Sequence, residues 1–144
     1  DEQPFLYFQD PAADYQIFGG GETLLITYGR LAVEALQAAQ ILAERGTAVT
    51  VLKLTKIHPL PEGIDQLLKP YHRIFFFEEG SRSGGIGEHL AGRLIERDFC
   101  GVYRYYGVPN RFIPQSSVPS MLKQLGLDAS GMVQALQQNS VVNQ

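Results

Sequence analysis

The stretch Ile74-Phe75-Phe76-Phe77-Glu78-Glu79-Gly80-Ser81-Arg82-Ser83-Gly84-Gly85-Ile86-Gly87-Glu88-His89-Leu90 carries the fold of this chain. Its apolar run, Ile74 to Phe77, has the length and continuity of a strand buried on both faces. Two carboxylates close the run, and a loop then crosses Gly84, Gly85 and Gly87. Ile86, Leu90 and Leu94 follow at helical spacing. In an open α/β sheet, the carboxyl end of a strand and the start of the next helix are where ligands and partner subunits dock.

The same alternation runs outward in both directions. Upstream, Thr23 to Tyr28 is an aliphatic, β-branched strand closed by Gly29. Ala32, Ala35, Leu36, Ala39, Leu42 and Ala43 then line a narrow helical face that lies close on a sheet, and Gly46 suits the residue just past the helix end. Ala48 to Leu54 is a second strand stopped by His58-Pro59-Leu60-Pro61, and a short helix spans Ile64 to Leu68 before Pro70. Downstream of the glycine loop, the helix runs from about Ile86 to Arg97 and a fourth strand from Val102 to Tyr106. Pro109 to Pro114 is an extended connection. Two closing helices cover Val118 to Leu125 and Asp128 to Leu136, with Ser117 and Asp128 as N-caps. Strands alternating with helices predict an α/β fold: a three-layer α/β/α arrangement on a mainly parallel, mixed sheet of about five strands. Residues 1–22 read as a lead-in or linker with short strands at Phe5–Phe8 and Tyr15–Phe18, 23–137 as the domain, and 138–144 as a polar tail.

Length and composition bound the function. A chain of 144 residues has room for one sizeable core, and 44% hydrophobic with 19% charged residues is ordinary for a globular domain. The net charge of −3, without a block of like charges, announces no nucleic-acid or anionic-membrane surface. No apolar run reaches the roughly 18 residues that span a bilayer. The single cysteine, Cys100, forms no internal disulfide and suits a reducing cytoplasm. The first residue is Asp1 rather than Met, so the expectation is a piece of a longer polypeptide whose reaction is housed mainly elsewhere.

Several constellations invite a chemical role. Gly84-Gly85-Ile86-Gly87 at a helix start presents backbone N–H groups that can hold a phosphate or carboxylate. The candidate anion or interface loop is therefore Glu79, Arg82, Ser83, Gly84, Gly85, Gly87 and His89. The spacing is not that of a dinucleotide or P-loop fingerprint, and the same glycines suit a sharp turn with close strand–helix packing. Glu78 and Glu79 would repel an anion unless paired with Arg82 or Arg73. Adjacent on a strand, the two carboxylates point to opposite faces. They therefore suit helix capping or a salt bridge across a subunit contact better than a two-carboxylate site. The three histidines, His58, His72 and His89, lie at no metal-ligand spacing, so no metal site is expected. Alternation puts Tyr103 and Tyr105 on one face of their strand and Arg104 and Tyr106 on the other, which marks Tyr103 and Tyr105 as interface candidates. No catalytic residue is visible.

Four stretches together resemble the C-terminal domain of transketolase-like, thiamine-diphosphate-dependent enzymes. They are Thr23 to Gly29 with its Ala-rich helix, Val51 to Leu60, Phe77 to Gly80 through Gly84 to Gly87, and Gly107 to Ile113. The order and spacing match across about residues 15–137. The last stretch, with Leu125 to Met132, is most similar to the 1-deoxy-D-xylulose-5-phosphate synthase family, although Asn110 stands where an Asp is usual. The lead-in is also short where a longer hairpin is usual. Those departures leave open a paralogue such as a β-type subunit of a 2-oxoacid dehydrogenase.

The resemblance implies a transferase that condenses pyruvate with glyceraldehyde 3-phosphate and releases carbon dioxide, at the head of isoprenoid and thiamine precursor synthesis. It implies thiamine diphosphate and Mg²⁺ bound by domains other than this one, a homodimer, and a domain that supports subunit packing without catalytic or cofactor-binding residues of its own. Its partners would be the upstream domains of the same polypeptide, with no nucleic acid and no membrane. The competing expectation is a stand-alone regulatory module that holds a small anion at the Gly84–Gly87 helix start.

Overall fold

The computed structural model describes residues 13–110 and 117–138. Within them the strands are β1 (Tyr15–Phe18), β2 (Thr23–Tyr28), β3 (Val49–Leu54), β4 (Arg73–Ser81) and β5 (Val102–Val108). The helices are α1 (Leu31–Glu44), α2 (Ile64–Leu68), α3 (Ile86–Glu96), α4 (Val118–Leu125) and α5 (Ala129–Gln138). The sheet order is β1-β3-β2-β4-β5; β1 runs antiparallel to β3, and every other pairing is parallel. The mixed five-stranded α/β sheet expected from the alternation is present. The Phe5–Phe8 strand, the Arg111–Pro114 connection and the tail beyond Gln138 lie outside the described residues.

The period of two in each strand sorts the core into two halves. Leu25, Val51, Phe75 and Phe77 face α1, α4 and α5, where they meet Leu31, Ala35, Ala38, Leu42, Leu122 and Met132. Leu24, Ile26, Leu52, Leu54, Ile74 and Phe76 face α2 and α3, where they meet Ile64, Leu68, Ile86, Leu90 and Leu94. Strands apolar at every position are what a sheet covered on both faces requires. Phe75, Phe76 and Phe77 are all fully buried. Buried Thr27 sends its hydroxyl to the Phe77 carbonyl at 2.8 Å, a polar tie between the two central strands.

One boundary differs in a way that matters for function. The expected strand ended at Phe77, whereas β4 continues through Glu78, Glu79 and Gly80 to Ser81. A carboxylate in a core strand reads as a strand end because a buried Glu is rare unless it is partnered. Here Glu78 is 1% exposed and fully partnered, so the strand carries it inward.

Helices α1 and α3 close with the same hydrogen-bonding motif but different residues. After α1, Gly46 at φ +87° donates to the Ala43 carbonyl, and Thr47 N donates to Leu42 O at 2.8 Å. After α3, Asp98 takes the equivalent place at φ +56°, donating to Ile95 O, and Phe99 N reaches Leu94 O at 3.0 Å. A left-handed non-glycine residue is strained there. Asp98→Gly is expected to raise stability by about 0.5 kcal/mol, and Gly46→Ala to lower it by about 1 kcal/mol. Urea unfolding of both variants checks the pair, and a loss on Asp98→Gly would mean that the aspartate side chain outweighs the strain.

Candidate functional site at the carboxyl ends of β2 and β4

The chain leaves β2 for β3 on one side, while β4 lies on the other, so the strand order reverses between β2 and β4. In open α/β sheets the crevice outside such a reversal is where ligands and partners dock. Tyr28, Gly29 and Arg30 reach it from the end of β2, and Glu78 to Arg82 from the end of β4.

Glu78 is the centre of this region. On the same side of the sheet as Ile74 and Phe76, its carboxylate accepts hydrogen bonds from Tyr28 Oη at 2.7 Å, Ile86 N at 3.2 Å and Gly87 N at 2.7 Å. The first amides of a helix have no intrahelical partner and carry partial positive charge. A buried carboxylate satisfies both needs at once, and the helix satisfies the carboxylate. Gly84 N donates to Glu88 Oε2 at 2.6 Å, so a second carboxylate braces the loop from outside.

Glu79 points the other way, as the alternation predicts. Arg30 Nε contacts its two oxygens at 2.7 and 2.8 Å, and Arg30 Nη2 contacts Oε2 at 2.5 Å, a bidentate clasp between the ends of β2 and β4. The Arg30 side chain is 57% exposed, so the clasp fixes geometry more than it stabilises the fold. Arg82 and Arg73, the cations that could offset the two glutamates, have other partners as well. Arg82 lies over the Tyr105 ring, 4.8 Å from its centroid, and Arg73 donates to Thr23 Oγ1 at 2.8 Å.

The tyrosines of β5 complete the wall. Tyr103 Oη donates to Gly87 O at 2.6 Å and its ring stacks with that of Tyr105, 5.8 Å between centroids. Tyr106, on the opposite face, stacks on Phe77 at 4.5 Å. Gly85 and Gly87 are sites of close approach between α3 and the ends of β4 and β5. A Cβ on Gly85 would stand 2.3 Å from Ser81 O, and one on Gly87 would stand 2.9 Å from Tyr105 Cβ. Ser81 Oγ donates to Asn110 Oδ1 at 2.7 Å, which ties the end of β4 to the turn after β5.

Of the residues expected from the sequence, the structure gathers Glu79, Arg82, Ser83, Gly84, Gly85 and Gly87 at the end of β4. His89 sits on the exposed side of α3. At the helix start weighed as an anion cradle or a sharp turn, the Ile86 and Gly87 amides are bound by the chain's own Glu78. Sequence reasoning misses Tyr28 and Arg30 because their partners lie 50 and 49 residues away. Their position at the end of a strand beside the order reversal is the available signal.

Burial pushes the Tyr28 hydroxyl well above its usual range, and the neighbouring Glu78 adds to the effect. Burial does the same for Tyr103, again with Glu78 contributing. A raised folded-state pKa means the folded protein keeps protons that the unfolded chain gives up above pH 10.0. Stability is therefore expected to be unaffected by these groups below that pH and to fall as pH rises beyond it. Tyr103→Phe is expected to make the alkaline decline shallower, measured as urea midpoint against pH. An unchanged slope would remove Tyr103 from the effect.

Among the described residues no group of three or more His, Cys, Asp or Glu could hold a metal ion. No helix there is long and apolar enough to cross a membrane. With the Ile86 and Gly87 amides bound by Glu78, the start of α3 does not offer those two donors to a diphosphate.

The strand-order reversal, closed by an internal carboxylate and with a glycine turn packed against a tyrosine strand, belongs to a mixed five-stranded α/β domain. A family model described as the transketolase C-terminal domain matches residues 16–132, and the chain belongs to that family. Among curated proteins, it is 32% identical over 118 residues to a 1-deoxy-D-xylulose-5-phosphate synthase of Synechococcus sp.. It is 33% identical over 118 residues to 1-deoxy-D-xylulose-5-phosphate synthase 1 of Geobacter sulfurreducens. Each match covers 81% of this chain and 18% of the relative, so the chain spans less than a fifth of their length. Among solved structures, a split gene transketolase described as an inactive beta4 tetramer superposes with a TM-score of 0.76 at 25% identity, over 90% of this chain and 42% of that one. Transketolase from Campylobacter jejuni shares the fold, with a TM-score of 0.64 at 16% identity, over 90% of this chain and 19% of that one.

Proposed function

We propose that this chain serves as the C-terminal, packing domain of a 1-deoxy-D-xylulose-5-phosphate-synthase-type transferase. The observation that carries the reading is the family match over residues 16–132 together with synthase relatives at 32% and 33% identity. The parent enzyme joins pyruvate to glyceraldehyde 3-phosphate with loss of carbon dioxide. Thiamine diphosphate, held with Mg²⁺ by other domains, supplies the electron sink for the decarboxylation. This chain holds a rigid strand–turn–helix at the carboxyl end of its sheet, with Arg82, Ser83 and Tyr105 presented towards a partner domain or subunit of a cytoplasmic homodimer.

The test compares this chain alone with the polypeptide or complex that unites it with thiamine-binding domains, each given pyruvate, glyceraldehyde 3-phosphate, thiamine diphosphate and Mg²⁺. The larger species is expected to release carbon dioxide and form 1-deoxy-D-xylulose 5-phosphate, while the chain alone forms neither. Turnover by the chain alone would overturn the packing role. Ketol transfer between sugar phosphates without carbon dioxide release would overturn the synthase assignment. Backbone amides of Ser81 to Gly84 are expected to exchange more slowly in the larger species than in the chain alone. Equal exchange would remove this loop from the contact.

A further inference from the structure

The second helical layer leaves a gap at the opposite end of the sheet. Helix α2 has five residues, too few to cover the sheet from end to end, and α3 stops at Glu96. Between their carboxyl ends and the starts of β4 and β5 lies a cavity of about 350 Å³. That volume falls inside the roughly 300–1,000 Å³ of small-molecule sites.

The frame of the cavity is fixed by contacts independent of any ligand. Asp65 of α2 accepts from Arg93 Nη2 and Arg97 Nη2 of α3, both at 2.7 Å, which clamps the two helices together. Leu68 and Leu94 belong to the buried core and form the floor. The walls are held by Tyr71 N on Leu68 O at 3.1 Å, Phe99 N on Leu94 O at 3.0 Å and Val102 N on His72 O at 2.8 Å.

The lining has two chemistries. Half-buried Tyr71 and Phe99 line the cavity together with exposed His72 and the aliphatic Leu68 and Leu94. At the rim, Lys69 and Arg97 stand with Asp98. Among the charged lining residues Lys69 and Arg97 equal Asp65 and Asp98 in number, and Arg93, bound to Asp65 from outside the lining, leaves the surroundings one cation in excess. Aromatic walls take a π-face, and a cationic rim takes a phosphate.

We propose that this cavity, between the carboxyl ends of α2 and α3, is a binding site for a small heteroaromatic phosphomonoester of nucleoside-monophosphate size. The ring lies between Tyr71 and Phe99, and the phosphate faces Lys69 and Arg97. It lies at the amino ends of the strands, opposite the Glu78 region, so its occupant regulates or steadies the domain without entering the contact face proposed above.

Cys100 is the single cysteine of the chain, is exposed, and lines the cavity, which makes it a built-in reporter. The experiment follows its reaction with an aromatic disulfide reagent in the 144-residue chain. The probes are adenosine 5′-monophosphate, uridine 5′-monophosphate, adenosine and inorganic phosphate, each up to roughly 1 mM. At least one nucleotide is expected to slow labelling and raise the melting temperature, with adenosine and phosphate each much weaker. Lys69→Glu, at an exposed position, is expected to keep the unliganded melting temperature and to abolish protection. Phe99→Ala is expected to weaken nucleotide binding about tenfold, the scale of one lost aromatic stack. No protection by either nucleotide would overturn the proposal, as would protection by inorganic phosphate equal to that by a nucleotide, or protection that survives Lys69→Glu.

Discussion

Glu78→Ala is expected to destabilise the domain by about 3 kcal/mol, a large share of the roughly 5–15 kcal/mol that holds a domain of this size. The side chain carries no catalytic proton and touches no ligand; its effect comes from what it leaves behind. The substitution strips the acceptor from Tyr28 Oη, Ile86 N and Gly87 N in a region where Glu78 itself is 1% exposed. Each buried donor left without a partner costs about 1–3 kcal/mol, and water entering the vacated space recovers part of that sum. Glu78→Gln keeps the shape and one acceptor oxygen but turns an NH₂ towards donors, so its expected cost is smaller, about 1–2 kcal/mol. Urea unfolding measures both. Hydrogen exchange should quicken first at the amides of Ile86 and Gly87, because the start of α3 loses its cap before the sheet loses its core. Equal costs for Ala and Gln would show that a full set of acceptors, rather than the shape of the side chain, is what this position requires.

How far this arrangement could be read from the sequence depends on the range of the interaction. The pattern of Thr23 to Tyr28, the Ala-rich face of α1 and the Ile64–Leu68 helix were all legible, because burial on two faces and helical spacing are local signals. The opposite orientation of Glu78 and Glu79 followed from strand geometry, and close packing at the glycines followed from residue type. Capping by a carboxylate was also foreseeable in kind. Which of the two glutamates performs it was not, since that depends on whether β4 ends at Phe77 or continues to Ser81. The Arg30–Glu79 clasp joins residues 49 apart through the pairing of β2 with β4, and strand order is not a local property. The cavity behind α2 was least legible of all. It exists because a five-residue helix fails to cover a sheet whose width no local pattern states.

Gly85→Ala is the second substitution with a large expected cost, about 2–4 kcal/mol, and it separates two explanations for a glycine-rich turn. The backbone of Gly85 is extended, at φ −84° and ψ −175°, which alanine adopts freely. Conformational entropy alone would therefore favour the alanine by about 0.4–1 kcal/mol. Steric contact opposes it: the new Cβ would stand 2.3 Å from Ser81 O, 2.8 Å from Glu78 Oε2 and 2.9 Å from Glu78 Oε1. Ser81 cannot yield cheaply, because it is paired with Val108 across the sheet, and Glu78 is held by three donors. The steric effect wins. Gly84 is the opposite case, with φ +79° and open space where a methyl would stand, so Gly84→Ala is expected to cost only about 1 kcal/mol. If the turn is needed for its conformation, Gly84 is the costlier site; if it is needed so that α3 can start against the end of β4, Gly85 is. The structure favours the second. The two effects share a contact, so they should not add. In the Glu78→Ala background, where two of the three crowding atoms are gone, Gly85→Ala is expected to cost measurably less than it does alone. Additive costs in that double-mutant cycle would place the clash on Ser81 alone and leave Glu78 acting only as the cap of α3.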